Sequence, residues 1–457
     1  MNIVLLVIDS LRASSLAAPS EVGPKTPFLH QLGAETTHFR RAYATECWTL
    51  PSHCSMFTGL LPSEHGAHFH TMAYARPAPT VAEALAAAGY HTEVVTRNFI
   101  FDGTIPGITR GFGVHTGLLS EAGALNPFAL LLAAAKPRFR RHIRATGFFH
   151  PLQRESRRFL STFARAMMPA DRRSLDYTLD QMDRLRHRAI PYFLFCNLYD
   201  VHAPYPPTPK SILRSFRSLQ GSMENLMFPY FMSALGAHRY LRADFHLSES
   251  GRRMLLGRYH AAIELMDTKL RDFYTAARRA RLLDDTLLIV TSDHGEAFGE
   301  HGLYLHDASV YDTHLHVPLW IHHPERAATV VDDLVSTRDL FGLMRAVGLG
   351  QGLKRTILDA TYRAEHPIAT AEHFHYPHAS EILPRYKQNI VATVGPIRKA
   401  ILRGQALEQY DLMSDPAETA PTDGTIADLE AAYRRDGLPA AAISAATEHL
   451  RRWQSAP

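Results

Sequence analysis

Cysteine is scarce in this chain: Cys47, Cys54 and Cys196 are the three in 457 residues. So small and odd a number does not suit a disulfide-stapled scaffold and suits a reducing compartment. No run approaches the roughly 20 apolar residues of a membrane-spanning helix. The start lacks a secretory leader pattern as well. Met1-Asn2 is followed by Ile3 to Ile8, an apolar run that stops at Asp9, whereas a leader has roughly 7–15 apolar residues behind a basic segment. The expected location is therefore cytoplasmic. Excess charge of one sign is also missing: 49 Lys and Arg stand against 45 Asp and Glu, a net charge of +4, and no nucleic-acid partner is expected. There is no internal repeat.

What is present is globular. Hydrophobic residues make up 46% and charged residues 21% of the chain, ample material for a core. The length suits one large domain plus a smaller one. The 27 His residues leave room for metal or proton chemistry.

Ile3 to Ile8 reads as a fully buried strand of the kind found in parallel sheets, and it runs straight into Asp9-Ser10. Thr80 to Gly89 reads as a short helix closed by glycine, and Thr92 to Thr96 as a second strand. Tyr192 to Leu198 is a third, ending at Asp200-Val201-His202. Tyr259 to Leu283 has the pattern of a long amphipathic helix; Asp285 to Thr291 is a fourth strand, ending at Ser292-Asp293-His294. Alternating strands and helices predict a doubly wound α/β sheet with helices on both faces, and sites in such sheets lie at the carboxyl ends of the strands. Two insertions are expected, near 116–190 and 205–250. The first is basic: from Lys136 to Arg173 eleven Lys or Arg accompany only Glu155 and Asp171, with Phe139, Phe148, Phe149, Phe159 and Phe163 interspersed. A solvated amphipathic helix is one reading of it. A cap that meets an anionic substrate or surface is the other. Pro416 to Asp423 reads as a loop, and the segment from Ala427 as a helical tail.

Two segments carry chemistry. In Trp48-Thr49-Leu50-Pro51-Ser52-His53, Pro51 suits the first turn of a helix. That places Thr49 at the helix mouth, where free N–H groups and the dipole attract an anion. A hydroxyl there can be a nucleophile toward phosphorus or sulfur if a metal lowers its pKa; it can equally be a plain helix cap. In Ser292-Asp293-His294-Gly295-Glu296, an adjacent Asp and His at a strand end can share one divalent ion with Asp9. Mixed oxygen and imidazole donors favour zinc or manganese over an all-oxygen calcium cage.

Taken in order along the chain, these segments resemble the sulfatase family, within the alkaline phosphatase superfamily. Asn2 to Asp9 resembles its first metal-binding strand. Thr49-Leu50-Pro51-Ser52-His53 falls on its Cys/Ser-x-Pro-Ser-Arg nucleophile motif, followed by Phe57-Thr58-Gly59 and Ser63-Glu64-His65-Gly66. Ala88-Gly89-Tyr90-His91-Thr92, Asp200-Val201-His202-Ala203-Pro204-Tyr205, Asp284 to Gly302 and Tyr410 to Glu418 resemble four further family segments. The departures are as telling. Position 49 is Thr and position 53 is His, and threonine cannot be converted to the formylglycine aldehyde. A Thr there resembles the phosphodiesterase, nucleotide pyrophosphatase and lipoteichoic acid synthase branches. Ser10 stands for a frequent second Asp, and His294 for a frequent Asn. Arg97 falls on a substrate-binding Lys position, and His306 lies near a second one.

The resemblance implies a large, mostly parallel sheet sandwiched by helices over residues 1–330 and a smaller C-terminal α+β domain over 331–457. It implies a metal held by Asp9, Thr49, Asp293 and His294, with manganese or zinc preferred and calcium the third candidate. Thr49 would be the nucleophile, with His202, His306, Arg97 and His53 completing the catalytic set. The expected activity is hydrolysis of phosphate or phosphonate esters. Sulfuric ester hydrolysis, phosphotransfer to an alcohol and a non-catalytic binding role are the alternatives. The expected partner is a small anionic ester, with surface contact through the basic insertion as a further candidate.

Overall fold

The computed structural model describes residues 1–16, 23–103, 105–117, 173–203, 205, 248–306, 308–375 and 387–455. Most of the two expected insertions, including the basic segment, lies outside them.

An eight-stranded sheet forms the centre. Its strands are β1 (Asn2–Ile8), β2 (Thr37–Tyr43), β3 (His91–Thr96), β4 (Val114–Gly117), β5 (Tyr192–Leu198), β6 (Thr286–Thr291), β9 (His316–His322) and β10 (Thr329–Ser336), in the order β10-β2-β9-β6-β1-β5-β3-β4. β9 runs antiparallel to both of its neighbours, and the other pairings are parallel. A hairpin of β7 (Ala297–Phe298) and β8 (Tyr304–Leu305) follows β6.

β1 shows why its sequence is apolar without a break. Ile3, Leu5 and Val7 enter one core, and Val4, Leu6 and Ile8 enter another on the opposite face. Side chains alternate across a strand, so a strand covered on both faces is apolar at every position. On the first face lie helices α1 (Thr49–Thr58), α2 (Val81–Ala87) and α3 (Leu340–Gly348), through Leu50, Met56, Leu85, Leu343 and Met344 among others. On the second lie α4 (Arg173–His187) and α5 (Glu249–Arg279), through Met182, Leu185, Ile263 and Leu270, together with Phe28 and Leu32 of the helix Pro27–Glu35.

A second sheet, antiparallel, follows in the order β11 (Ala369–His373), β12 (Ile390–Val394), β13 (Arg398–Arg403), β14 (Ala406–Asp411), β15 (Thr422–Gly424). Two helices, Ile426–Arg435 and Ala440–Gln454, cover its outer face.

The large α/β sheet with a C-terminal antiparallel unit is the architecture expected. Three details differ. The boundary expected at 330/331 falls inside β10, which pairs with β2 of the large sheet, and α3 still packs in the large-sheet core. The long helix begins at Glu249, ten residues before the expected start, where Ser248 accepts from Gly251 N as its cap. The end of the first expected insertion is α4, a core helix: Leu175, Met182 and Leu185 are buried. No described helix is long and apolar enough to cross a membrane.

Candidate functional site

β6, β1, β5 and β3 are consecutive and parallel. Their registers pair Ile8 with Leu198, Val7 with Thr291, and Thr96 with Asn197. The residues that follow each strand therefore emerge at one edge: Asp9, Arg97-Asn98, Asp200 to His202, and Ser292-Asp293-His294. Asp9, Asp293 and His294 are fully buried and offer donor atoms within 4.8 Å of one another. His294 Nε2 lies 3.4 Å from Asp293 Oδ2 and 3.8 Å from Asp9 Oδ1.

The tautomer of His294 follows from its other nitrogen. Nδ1 is 3.0 Å from the carbonyl of Gly295, so Nδ1 carries the hydrogen and Nε2 presents its lone pair. Neither Nε2 nor Asp293 Oδ2 has a hydrogen-bond partner among the described residues. Buried polar atoms are seldom left this way. Burial, together with the neighbouring Asp9, pushes the Asp293 carboxyl well above its ordinary range. Burial drives the His294 imidazole well below its own, with His306 adding to it. Two carboxylates and one imidazole lone pair converging in a dry site are the donor set of a divalent cation, so Asp9, Asp293 and His294 fit a metal.

Polar neighbours hold these donors in place. Asn98 Nδ2 and Asn197 Nδ2 donate to Asp9 Oδ2 at 3.0 and 3.3 Å. Ser10 has a left-handed φ of 65°, and its N–H donates to Asp293 Oδ1 at 3.2 Å. That oxygen also accepts from His294 N at 3.0 Å.

Thr49 is buried and opens α1. The first turn of that helix is fastened to the metal-candidate segment, because Ser52 Oγ donates to the Asp293 carbonyl at 2.6 Å. His53 Nδ1 donates to the Thr49 carbonyl at 2.8 Å and lies 3.6 Å from Asp293 Oδ2. The rings of Phe101 and Phe195 enclose His53 at 5.0 and 5.5 Å, and burial lowers its pKa to about 4. A neutral His53 here props the helix turn against the strand end.

His202 and His306 join the cluster. The His306 ring centroid lies 4.6 Å from that of His294 and 4.8 Å from that of His202. Burial alone would depress His306. Glu296 outweighs it: its Oε1 lies 3.0 Å from His306 Nδ1, and with Asp9 and Asp293 it raises the pKa to about 9. His202, whose Nδ1 donates to the Ala203 carbonyl, is held below its usual value by burial. Arg97 is brought to the same edge by β3, and Asn98 beside it reaches Asp9.

Several contributors were not read from the sequence. Asn98, Asn197, Glu296, Tyr205 and Ser52 each touch the site. Tyr205 OH donates to Glu296 Oε2 at 2.8 Å. Ser52 and Glu296 stand inside the two recognised motifs, which is the signal that could have found them. Asp200 turns elsewhere and pairs with Lys269 at 3.1 Å.

Comparison with known proteins bears on the family and the fold. The family model described as sulfatase matches residues 1–347. Mouse (Mus musculus) iduronate 2-sulfatase is 23% identical over 357 residues, covering 72% of this chain and 60% of its own length. Choline-sulfatase of Rhizobium meliloti is 23% identical over 340 residues, covering 71% and 62%. The chain thus spans about three-fifths of these relatives. Among solved structures, the phosphonate monoester hydrolase of Agrobacterium radiobacter superposes with a TM-score of 0.66 at 19% identity, covering 99% of this chain and 96% of that one, a likeness of fold. With the family model spanning the whole large sheet and every strand end that builds the site, the chain belongs to the sulfatase family.

Proposed function

We propose that this chain is a metal-dependent hydrolase of phosphate or phosphonate esters that uses Thr49 as its nucleophile. The observation that carries the reading is the buried Asp9–Asp293–His294 cluster, with two donor atoms that have no hydrogen-bond partner among the described residues, tied through Ser52 to a helix that opens on Thr49. Asp9, Asp293, His294 and Thr49 would hold a divalent cation, which would supply positive charge to neutralise the anionic ester and lower the pKa of the threonine hydroxyl. Zinc or manganese suits these donors better than calcium.

The two outer histidines divide the proton work. Neighbours push their pKa values apart, and such a split assigns acid and base. The Thr49 hydroxyl gives its proton to solvent and its oxygen bonds to phosphorus; the phosphorus–oxygen ester bond breaks as His306, kept protonated by Glu296, gives a proton to the departing alcohol. His202, kept neutral by burial, takes the proton of the water that then hydrolyses the threonyl ester. Arg97, at the same edge, faces the anionic charge of the substrate. His53 positions Thr49 and Asp293. The expected substrate is a small anionic ester, and the cytoplasmic location expected from the scarce cysteine belongs to the same proposal.

Sulfate ester hydrolysis is the second reading, favoured by the relatives named as sulfatases. The two differ in how the covalent intermediate is released. Threonine lacks the geminal diol that expels sulfate by collapsing to an aldehyde. A threonyl ester must be attacked at its central atom, which the two histidines can assist at phosphorus. The test is kcat/KM for matched nitrophenyl phosphodiesters, phosphonate monoesters, phosphate monoesters and sulfates under one metal condition, with Thr49→Ala alongside. Phosphorus esters are expected to react faster, and Thr49→Ala to lose turnover by orders of magnitude. A sulfate ester turned over more than about tenfold faster than every phosphorus ester, about 1.4 kcal/mol in the transition state, would overturn the preference. Near-normal turnover by Thr49→Ala would overturn the nucleophile.

A further inference from the structure

A second cluster of donor atoms sits behind the nucleophile, and the proposed mechanism does not use it. Glu46 and Cys47 lie in the strap between β2 and α1, and His373 is the last residue of β11. Glu46 and Cys47 are fully buried, and His373 is 1% exposed. His373 Nδ1 lies 2.9 Å from Glu46 Oε1 and 3.6 Å from Cys47 Sγ, and the three residues offer donor atoms within 4.8 Å of one another. A second, independent sign is that Glu46 Oε2, buried, has no hydrogen-bond partner among the described residues.

We propose that Glu46, Cys47 and His373 form a second metal site, distinct from the Asp9–Asp293–His294 centre, and that it takes zinc. Bonds of about 2.0–2.3 Å at tetrahedral angles place donor atoms roughly 3.3–3.8 Å apart. The Cys47–His373 separation already falls in that range, and the Glu46–His373 pair needs to open by less than an ångström. Thiolate, imidazole and carboxylate together select a borderline-soft ion, and the thiolate selects against calcium and magnesium. The first centre offers only oxygen and imidazole nitrogen, so the two sites differ in kind. Binding forms a metal–sulfur bond and sends the Cys47 thiol proton to solvent, which makes the affinity fall with falling pH.

The placement gives the site a task. Glu372 N donates to the Thr45 carbonyl at 2.9 Å, so the strap already rests on β11. The Phe69 ring lies 6.0 Å from that of His373, and Trp48 stacks on Phe69 at 4.1 Å, covering the cluster from the side. An ion joining Glu46 and Cys47 to His373 would clamp the strap that delivers Trp48 and Thr49 onto the C-terminal sheet. The competing structure is a plain buried hydrogen-bonded pair with a thiol beside it, which binds no metal.

The two are separated by loading the full chain with zinc alone, then with cobalt alone, removing loose ion and measuring metal per chain and the absorption spectrum. We expect two equivalents of zinc, and in the cobalt protein a thiolate-to-metal charge-transfer band in the near ultraviolet. Asp293→Asn is expected to lose one equivalent and keep the band. Cys47→Ser is expected to lose one equivalent and the band, and His373→Gln to lose one equivalent. A wild-type cobalt protein with no thiolate band overturns the site whether or not the variants fold, and so does a folded Cys47→Ser protein that binds as much zinc as wild type. A wild-type chain with one equivalent and a thiolate band that survives Asp293→Asn would support this site and sink the first centre instead.

Discussion

His65 and His294 show how neighbours give one residue type opposite faces. In His294, Nδ1 donates to a carbonyl and Nε2 is left as an acceptor. In His65, Nδ1 accepts from Ala67 N at 3.0 Å, and Nε2 lies 3.2 Å from the Pro51 carbonyl. His65 is thus fixed as the neutral Nε2–H form, and burial lowers its pKa to about 4. A lowered folded-state pKa means that the unfolded chain binds the proton first. The stabilising contribution of neutral His65 is therefore present above pH 6.5 and is lost as pH falls from 6.5 toward 4. In the limit it amounts to roughly 3 kcal/mol. The midpoint of urea unfolding should fall over that range, and His65→Gln should show a shallower fall. Equal slopes for the two proteins would remove His65 from the account. His53 and His314, also lowered to about 4, keep some slope in the variant.

The segment from β6 to β7 works as one element, packed so tightly that its glycine is structural. Ser292 Oγ donates to the Ile8 carbonyl at 2.6 Å and accepts from Leu11 N at 2.9 Å, stitching β6 to the end of β1. Gly295 N donates to the His314 carbonyl at 2.7 Å. A Cβ on Gly295 would sit 2.1 Å from the Thr313 carbonyl oxygen and 2.9 Å from Arg12 Cβ. Backbone cannot yield as a side-chain tip can, so Gly295→Ala must move His294 or Glu296, its two chain neighbours. The expected result is a chain destabilised by about 1–3 kcal/mol that binds less metal and turns over slowly; wild-type metal content and activity would show that the segment has slack. The motif itself was legible from the sequence. Its packing against Thr313 was not, because nothing local in Gly295 reveals what lies across from it.

The two sheets share a core, and the late motif Tyr410 to Glu418 turns out to serve that joint. Ile390, Ala392 and Ile401 of the second sheet pack into the large-sheet cluster, while Val391, Ala400 and Leu402 face its own helices. Beside them Lys399, fully buried, pairs with Asp312 at 2.7 Å and Glu418 at 2.6 Å. Glu418 Oε2 also accepts from Asp312 N at 2.6 Å, and Asp411 Oδ1 accepts from Met413 N at 3.0 Å to shape the turn between them. Lys399→Met would leave two carboxylates facing each other without their cation. Removing one partner of a buried pair costs about 3–5 kcal/mol, so unfolding should shift to markedly lower denaturant. An unchanged midpoint would mean that the joint stands on its apolar contacts alone.

Much of the large sheet could be read in advance because apolar runs that stop at an acid are local patterns: β1, β5 and β6 were read that way, β3 from its short β-branched run, and Asp9, Asp293 and His294 were singled out at those strand ends. β2, with the polar run Thr37-His38-Phe39-Arg40-Arg41, and the antiparallel β9 carry no such pattern and were missed. The partners of the site were decided only in three dimensions. Asn98 reaches Asp9 across 89 positions, Ser52 reaches Asp293 across 241, and Glu46 meets His373 across 327. Such meetings depend on strand order and on a register in which a one-residue slip turns every side chain to the other face. Residue type and spacing determined which groups could do chemistry here; the packing of four parallel strand ends against one helix and a second sheet decided which of them meet.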